Sequence, residues 1–152
     1  MTRSTPQLQP SEVTLESLLE RFQAAQVRCK PSPNGAFLIV GPFEADEAPI
    51  SVMIDPSKHL LYLHILYALR ANVSKSKKLN SINEFNDRLD LIRAIYKDPT
   101  TMVVDYQLAY YPSLNFETLM AVLQAIGRLS HLIVVIDDGE IIDAGDTVDS
   151  DS

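Results

Sequence analysis

"LNSINEFNDRLDLIRAIYKDPTTMVVDYQLAYY", residues 79–111, is the stretch that decides the fold. Its first third has apolar residues at helical spacing, which predicts an amphipathic helix over residues 76–89. These apolar positions are Leu79, Ile82, Phe85 and Leu89. The runs LIRAIYKD and TTMVVDYQLAYY follow, and the Asp98-Pro99 pair between them is a turn signal. The stretch therefore predicts a helix followed by two paired strands.

Three asparagines, Asn80, Asn83 and Asn86, recur at steps of three in this helix, although asparagine is a mediocre helix former. At about 100° per residue, Asn86 falls inside the apolar arc, Asn83 falls on its margin and Asn80 points away. We therefore expect Asn86 to be substantially buried and bonded to the backbone of a neighbouring strand or loop. Such an amide would link helix and sheet; the alternative is an amide pair that binds a ligand.

The rest of the chain predicts two more helices and three more strands. Apolar residues from Leu15 to Phe22 at helical spacing indicate a first helix with Thr14 as N-cap. The runs AFLIVGPF, PISVMID and LLYLHILY read as strands. A third helix follows Asn115; we favour an end before Asp137, with a cap near Gly139 or a small hairpin turning there as alternatives. The order is α-β-β-β-α-β-β-α, and the predicted fold class is α+β.

Composition and charge predict one domain with two polar ends. The chain has 152 residues, 46% of them hydrophobic, which suffices for a single core. We expect a frayed segment over residues 1–10, a domain over residues 11–136 and a disordered acidic tail over residues 137–152. Seven acidic and no basic residues lie in that tail, so it accounts for the whole net charge of −7. The expected role of the tail is solubility, and the alternative is regulation or mimicry of nucleic acid.

The expected location is the cytoplasm. The single cysteine fits a reducing compartment, and the N-terminus lacks the apolar core of a secretory signal. No apolar stretch in the sequence looks long enough to cross a bilayer, so no membrane association is expected.

Catalytic and metal-binding patterns are not found. The three histidines, His59, His64 and His131, do not form a metal-binding motif, and phosphate-binding glycine loops are absent from the sequence. Arg28 and Lys30 could lower the pKa of Cys29, but no partner histidine is marked out. We therefore predict no catalytic residues, no metal and no cofactor. A small enzyme of an unrecognised type is the remaining enzymatic alternative.

One cluster of basic residues could contact phosphates. It consists of Arg70, Lys75, Lys77 and Lys78. Direct nucleic-acid binding is disfavoured, because the remainder of the chain is neutral and the acidic tail repels anions. An accessory role near nucleic acid, through this weak patch or through a protein partner, is the alternative.

The last strand of the quoted stretch predicts an interaction surface. Its even positions from Met102 to Tyr110 are apolar and should face the helices. Apolar residues on the opposite face would form an exposed patch that favours a homodimer or a protein client. The expected interface residues are Val103, Ala109 and Tyr111, together with Phe85 and Leu89 of the second helix. At 12 residues this strand is long, so we expect it to extend beyond its own sheet.

These elements resemble the bacterial YbjN family. Asn83 and Asn86 match the N-x-x-N pair of that family, and Arg93, Ala94 and Tyr96 fall in the strand that follows it. The resemblance covers roughly residues 15–132 and includes the strand LLYLHILY. It implies a fold like that of class I type III secretion chaperones: a small twisted, largely antiparallel sheet, three helices and a homodimer. It also implies a non-enzymatic adaptor or chaperone-like regulator, in a family described as regulators of sensory transduction, with an unidentified protein client.

Overall fold

A computed structural model describes residues 7–143. Three helices and an antiparallel sheet are present, so the predicted α+β class is confirmed. The helices are α1 (Leu15–Ala24), α2 (Lys75–Arg88) and α3 (Phe116–Asp137), with a 3₁₀ turn at Pro10–Glu12. The strands are β1 (Gln7–Leu8), β2 (Cys29–Pro31), β3 (Leu38–Val40), β4 (Ile50–Asp55), β5 (Leu60–Ala68), β6 (Arg93–Asp98), β7 (Thr101–Ala109) and β8 (Leu114–Asn115).

The main sheet has six strands in the order β2-β3-β4-β5-β7-β6, and every neighbouring pair is antiparallel. Strand β7 pairs with β5 along its whole length, from Leu60 opposite Ala109 to Ala68 opposite Thr101. The expected length of 12 residues is wrong, because β7 has 9 residues. On its other side, however, β7 does extend beyond the edge strand β6, which pairs with residues 101–105. A short second sheet joins β1 to β8.

Each helix begins at a residue whose side chain caps it. Thr14, Ser74 and Asn115 accept hydrogen bonds from backbone N–H groups three residues later, at 3.0–3.2 Å. Such caps satisfy one of the N–H groups that a helix start leaves unpaired. The predicted caps at Thr14 and Asn115 are therefore present, and Ser74 starts α2 one residue earlier than the periodicity suggested.

The core lies between the helices and one face of the sheet. Inward-facing residues of β5 and β7, such as Leu63 and Val104, are fully buried, as the alternating pattern requires. Phe85 of α2 is 3% exposed and belongs to this core. Its predicted place in a partner interface is therefore wrong, because its ring is already packed within the protein. Leu89 at the end of α2 is half-buried and packs against the same core.

Both terminal segments that were predicted to be unstructured include residues that pack on the domain. At the N-terminus, Leu8 is 2% exposed and pairs with Leu114, so residues 7–10 are not frayed. At the C-terminus, Ile141 and Ile142 are buried, and Ile142 bridges to Leu69. The domain thus includes residues 137–143, and the remaining predicted polar residues, 1–6 and 144–152, lie outside the described part of the chain.

The end of α3 follows one of the alternatives weighed from the sequence. The helix continues through Asp137, and Asp138 takes a left-handed conformation with φ of 49°, next to Gly139. The carboxylate of Asp137 accepts backbone hydrogen bonds from Ile141 and Ile142. This buried carboxylate fixes the segment after the helix onto the domain, which explains why an acidic stretch is not solvated here.

Helix α3 has the length and composition of a membrane span, with mean hydropathy 1.9 in its most apolar window. The expectation that no such stretch exists is wrong by this criterion. One third of that window is buried, and core helices of globular proteins meet the same criterion. Length and composition alone are therefore weak grounds for placing α3 in a bilayer.

Candidate functional site

The sheet surface that faces away from the helices, hereafter the open face, is the strongest candidate site. It forms a shallow depression of about 390 Å³ across the four strands β4, β5, β7 and β6. Its lining residues are Met53, Tyr62, His64, Arg93, Ile95, Lys97, Val103, Asp105 and Gln107. The main apolar residues of β7 lie on the face that the helices cover. The residues of β7 that line the open face are therefore those at the alternate positions along the strand.

Cross-strand pairing arranges the open face in rows. One row brings together Ser51, His64, Asp105 and Arg93, each directly opposite the next on adjacent strands. The next row places Val103 between Leu66 and Ile95. Directly opposed side chains lie close enough to interact. The pairing therefore produces a polar row beside an apolar row, which is suited to binding a surface with both kinds of group.

Asp105 is the centre of the polar row, and it is only 6% exposed. Arg93 donates a hydrogen bond to its Oδ2 at 3.0 Å, and the Nε2 of His64 lies 2.8 Å from its Oδ1. Oδ1 has no hydrogen-bond partner of proper geometry among residues 7–143, although the Nε2 of His64 lies within 2.8 Å of it. Burial of a carboxylate is costly without such neighbours, so His64 and Arg93 hold Asp105 in place.

The polar row also contains a serine, a histidine and an aspartate, the residue types of a hydrolytic triad. A triad needs a hydrogen bond between serine and histidine and donors for an oxyanion. No hydrogen bond joins Ser51 to His64 among residues 7–143, and the site is a shallow sheet surface. The geometry matches an ion-pair cluster better than a catalytic centre.

The predicted interface residues of β7 and its extension lie apart from one another. Val103 is half-buried in the apolar row, whereas Ala109 is exposed six positions further along the same strand. Tyr111 lies beyond the strand end, is 70% exposed and stacks on His59 with ring centroids 5.3 Å apart. Only Val103 therefore lies in the central depression.

Asn86 makes two hydrogen bonds with the backbone of Ala94 in β6. Its Nδ2 donates to the carbonyl of Ala94 at 2.9 Å, and its Oδ1 accepts from the N–H of Ala94 at 2.7 Å. Since β6 is an edge strand, the amide occupies backbone groups that a further strand would use. The expected bonding to the backbone of a neighbouring strand is confirmed. The expected burial is wrong, because Asn86 is an exposed residue at the sheet edge, and Asn83 and Asn80 are exposed as well.

One member of the predicted basic cluster is buried, and the others have neighbours within the protein. Lys78 is 2% exposed and its Nζ donates to the carbonyl of Pro99 at 2.5 Å, so its predicted phosphate contact is wrong. Lys77 lies 3.8 Å from Glu140, and Lys75 lies 5.6 Å from the ring centroid of Tyr96. The guanidinium of Arg70 packs beside Gly139. Lys78 is therefore removed from the predicted cluster, whereas Lys75 and Lys77 are exposed and Arg70 is half-buried.

A second depression of about 260 Å³ lies between the loop before β4 and α3. Its residues are far apart in the sequence, so no local pattern predicts it: a loop contributes Asp46 and Glu47, and α3 contributes His131. The Nε2 of His131 lies 3.1 Å from Asp46, and Glu47 approaches Gly127 so closely that a Cβ there would lie 2.6 Å from its Oε1. Burial raises the pKa of the Glu47 carboxyl, and the charges of Glu44 and Asp46 raise it further.

Replacing Glu47 by glutamine should stabilise the protein at neutral pH and change little in acid. Arg128 and His131 oppose the increase in pKa, but the net direction is upward from the ordinary value of 4.5. The native state therefore binds the proton more tightly than the unfolded state, and stability falls as pH rises through the native pKa. Thermal melts of the wild type and Glu47→Gln from acid to neutral pH should diverge as pH rises. Parallel curves would contradict the prediction.

Cys29 does not have the properties of a nucleophile. Burial raises the pKa of its thiol to about 11, so the neighbouring Arg28 and Lys30 do not produce a reactive thiolate. Within residues 7–143, no group of three or more His, Cys, Asp or Glu side chains is arranged to hold a metal ion.

The fold matches a solved structure. No protein-family model matches the chain, and no curated protein matches it in sequence. The crystal structure of YbjN from E. coli, described as a candidate transcription regulator, superposes with a TM-score of 0.68 over 85% of this chain and 95% of that chain. The two sequences are 9% identical, so the match shows a shared fold. The predicted resemblance to YbjN is confirmed at that level.

Proposed function

We propose that this protein is a non-enzymatic, homodimeric adaptor or chaperone-like regulator that binds another protein through the open face of its sheet, in the cytoplasm. The open face carries this proposal. It is a broad surface with an apolar row, and helices cover only the opposite face of the sheet.

The apolar row favours a protein partner over solvent. A solvated sheet face normally presents polar side chains at alternate positions, whereas Leu66, Val103 and Ile95 lie side by side here. All three are half-buried, so a partner could remove their remaining surface from water. Contact with such a patch would supply the hydrophobic part of a binding energy.

The polar row would provide specificity with only a small desolvation penalty. Burying an unpaired carboxylate under a partner is expensive, but Asp105 already has Arg93 and His64 beside it. Arg93 itself is exposed and keeps further donors for a partner's carboxylate or carbonyl. The preferred client surface would therefore combine an apolar side chain with an acidic or carbonyl group.

A regulatory role is consistent with the YbjN match, since that protein is described as a candidate transcription regulator. Lys78 is buried and Lys77 lies near Glu140, so few cations of α2 are left for direct contact with nucleic acid. Any influence on transcription would then pass through the protein bound at the open face.

Site-specific photo-crosslinking tests the proposal. A photoreactive amino acid at Val103, expressed in cells of the protein's own species, should produce a crosslinked adduct with a different protein. The same probe at Glu20, exposed on α1, is the control and should not produce that adduct. Adducts with its own chain alone would make the open face a homodimer interface without a client. Equal adducts at both positions, or none, would contradict the proposal.

A further inference from the structure

We propose that the depression between α3 and the loop before β4, hereafter the acidic cavity, binds a small organic cation: a primary ammonium group on a short alkyl chain. Pockets for drug-sized ligands usually measure roughly 300–1,000 Å³. A cavity of about 260 Å³ therefore suits a smaller molecule. The acidic cavity shares no lining residue with the depression of the open face, so this inference is independent of the proposed function.

The acidic cavity combines carboxylates with an apolar wall. Its acidic lining residues are Asp46, Glu47 and Asp143, and its basic lining residue is His131. The Nε2 of His131 already lies 3.1 Å from Oδ2 of Asp46, so Glu47 and Asp143 supply the remaining negative charge. Apolar side chains form much of the rest of the wall: Ala48, Pro49, Val134 and Ile142. This lining is complementary to a molecule with a positive end and an apolar chain.

The carboxylate of Glu47 is an unfavourable group in the protein alone. Its Oε1 is buried and has no hydrogen-bond partner among residues 7–143. Burial and the charges of Glu44 and Asp46 raise the pKa of this carboxyl, so its surroundings disfavour the charged form. Arg128 and His131 oppose this increase without reversing it. A disfavoured carboxylate in a cavity is typical of a binding site, because a bound cation would stabilise its charged form.

Helix α3 provides the space that this carboxylate occupies. Gly127 lies in the interior of the helix, where glycine is less stable than alanine. A Cβ at this position would lie 2.6 Å from Oε1 of Glu47, so even alanine would displace the carboxylate. Two residues that are unfavourable for the fold therefore meet at one point beside the acidic cavity. Such local costs are expected at functional sites rather than at purely structural contacts.

A primary ammonium group fits this lining better than a metal ion or an anion does. Within the described part of the chain, no group of three or more His, Cys, Asp or Glu side chains is arranged to hold a metal. An ammonium group has three N–H donors and can bond to carboxylates that lie on one side of it. Contact of its alkyl chain with Val134 and Ile142 would remove apolar surface from water. The acidic residues would repel an anion.

An NMR titration with pentylammonium at neutral pH and constant ionic strength tests the inference. Amide signals of residues 45–48 and 131–134 should shift and saturate, whereas those of β6 should not. Three control compounds each lack one property of the ligand. Pentanol has no charge, tetramethylammonium has no N–H donor, and pentanoate has the opposite charge. Each should bind at least about tenfold more weakly, because a hydrogen bond to a charged group is worth at least that factor.

Variants of the site separate binding from folding. Glu47→Gln should weaken the binding of pentylammonium by at least about tenfold, for the same reason. Since this variant is expected to be more stable than the wild type at neutral pH, unfolding would not explain the loss. Gly127→Ala should also weaken binding, because its Cβ displaces the carboxylate. Glu20→Gln removes the same charge at an exposed position of α1 and should bind pentylammonium as the wild type does.

One further compound identifies the source of the ammonium group. Nα-acetyl-lysine methylamide carries it on a peptide unit. Tighter binding of this compound than of pentylammonium would assign the cavity to a lysine of a protein partner, and weaker binding would assign it to a free amine.

Three results would overturn the inference. They are equal affinity of the wild type and Glu47→Gln, equal affinity for pentylammonium and tetramethylammonium, and an absence of saturable shifts around the cavity. None of these results would affect the crosslinking test at Val103, which concerns the open face alone.

Discussion

Truncation after Asp137 is expected to lower the free energy of unfolding by about 3–6 kcal/mol relative to truncation after Asp143. Burying one isoleucine contributes ~1.5–3 kcal/mol, and the shorter chain lacks two buried isoleucines. Ile141 and Ile142 are 0% and 1% exposed, and the shorter chain lacks both. It also lacks the two N–H groups that the carboxylate of Asp137 accepts from, at 3.1 and 2.9 Å. An almost buried carboxylate would then have lost its donors, which adds to the loss.

Urea denaturation of three chains would measure this effect. The full-length protein, the chain ending at Asp143 and the chain ending at Asp137 separate the contribution of residues 138–143 from that of residues 144–152. We expect the large decrease in midpoint between the two truncated chains. Equal midpoints for those two chains would mean that Ile141 and Ile142 do not stabilise the domain. Ile141→Ser in the full-length chain, at unchanged charge, is the matched check on the same contact.

The C-terminal segment shows where sequence composition is a poor guide. Acidic residues surround Ile141 and Ile142, and such a stretch ordinarily remains solvated. Burial here depends on a bridge between Ile142 and Leu69, and on hydrogen bonds from this segment to Asp137. These partners lie in different parts of the sequence, so local composition could not reveal the packing. Leu8 at the other end is a similar case, because its partner is Leu114.

In contrast, the alternation of apolar residues along β7 correctly predicted which side of that strand faces the core. The even positions from Met102 of β7 to Tyr110 just after it pack on the core as their alternation required, because side-chain direction follows from local geometry. Lys78 departs from this rule. Its charge suggested the surface, yet the side chain is buried and its ammonium donates to the carbonyl of Pro99. The buried side of α2 is therefore rotated toward Lys78, and Leu79 is 37% exposed.

The polar row of the open face could be predicted only in part. His64 and Asp105 each interrupt an apolar strand, and such interruptions signal polar groups that need partners. Which residues pair depends on strand order and register, which place β5 beside β7 and Arg93 opposite Asp105. Separate strands in a sequence do not specify that arrangement. The residue types were therefore visible in advance, whereas their contact was not.

Asn86→Leu is expected to lower the free energy of unfolding by about 1–3 kcal/mol, the cost of leaving hydrogen-bonding groups without partners. The native amide pairs with both backbone groups of Ala94, and leucine can pair with neither. Asn80→Leu and Asn83→Leu, at exposed positions of the same helix with no such bonds, should change stability by less than about 0.5 kcal/mol. Asn86→Asp should lie in between, because it keeps the acceptor for the N–H of Ala94 but loses the donor to its carbonyl.

The same substitution should also expose the edge of the sheet. In the wild type the Asn86 amide occupies the outer backbone groups of β6 at Ala94, so an incoming strand cannot pair there. With leucine at position 86 these groups become available, and self-association through β6 should increase with concentration. Urea midpoints and light scattering on all four variants would measure both effects. Similar midpoints for Asn86→Leu and Asn83→Leu would show that the two bonds to Ala94 contribute little. An Asn86→Leu variant that loses stability without associating would mean that something other than the amide protects the edge.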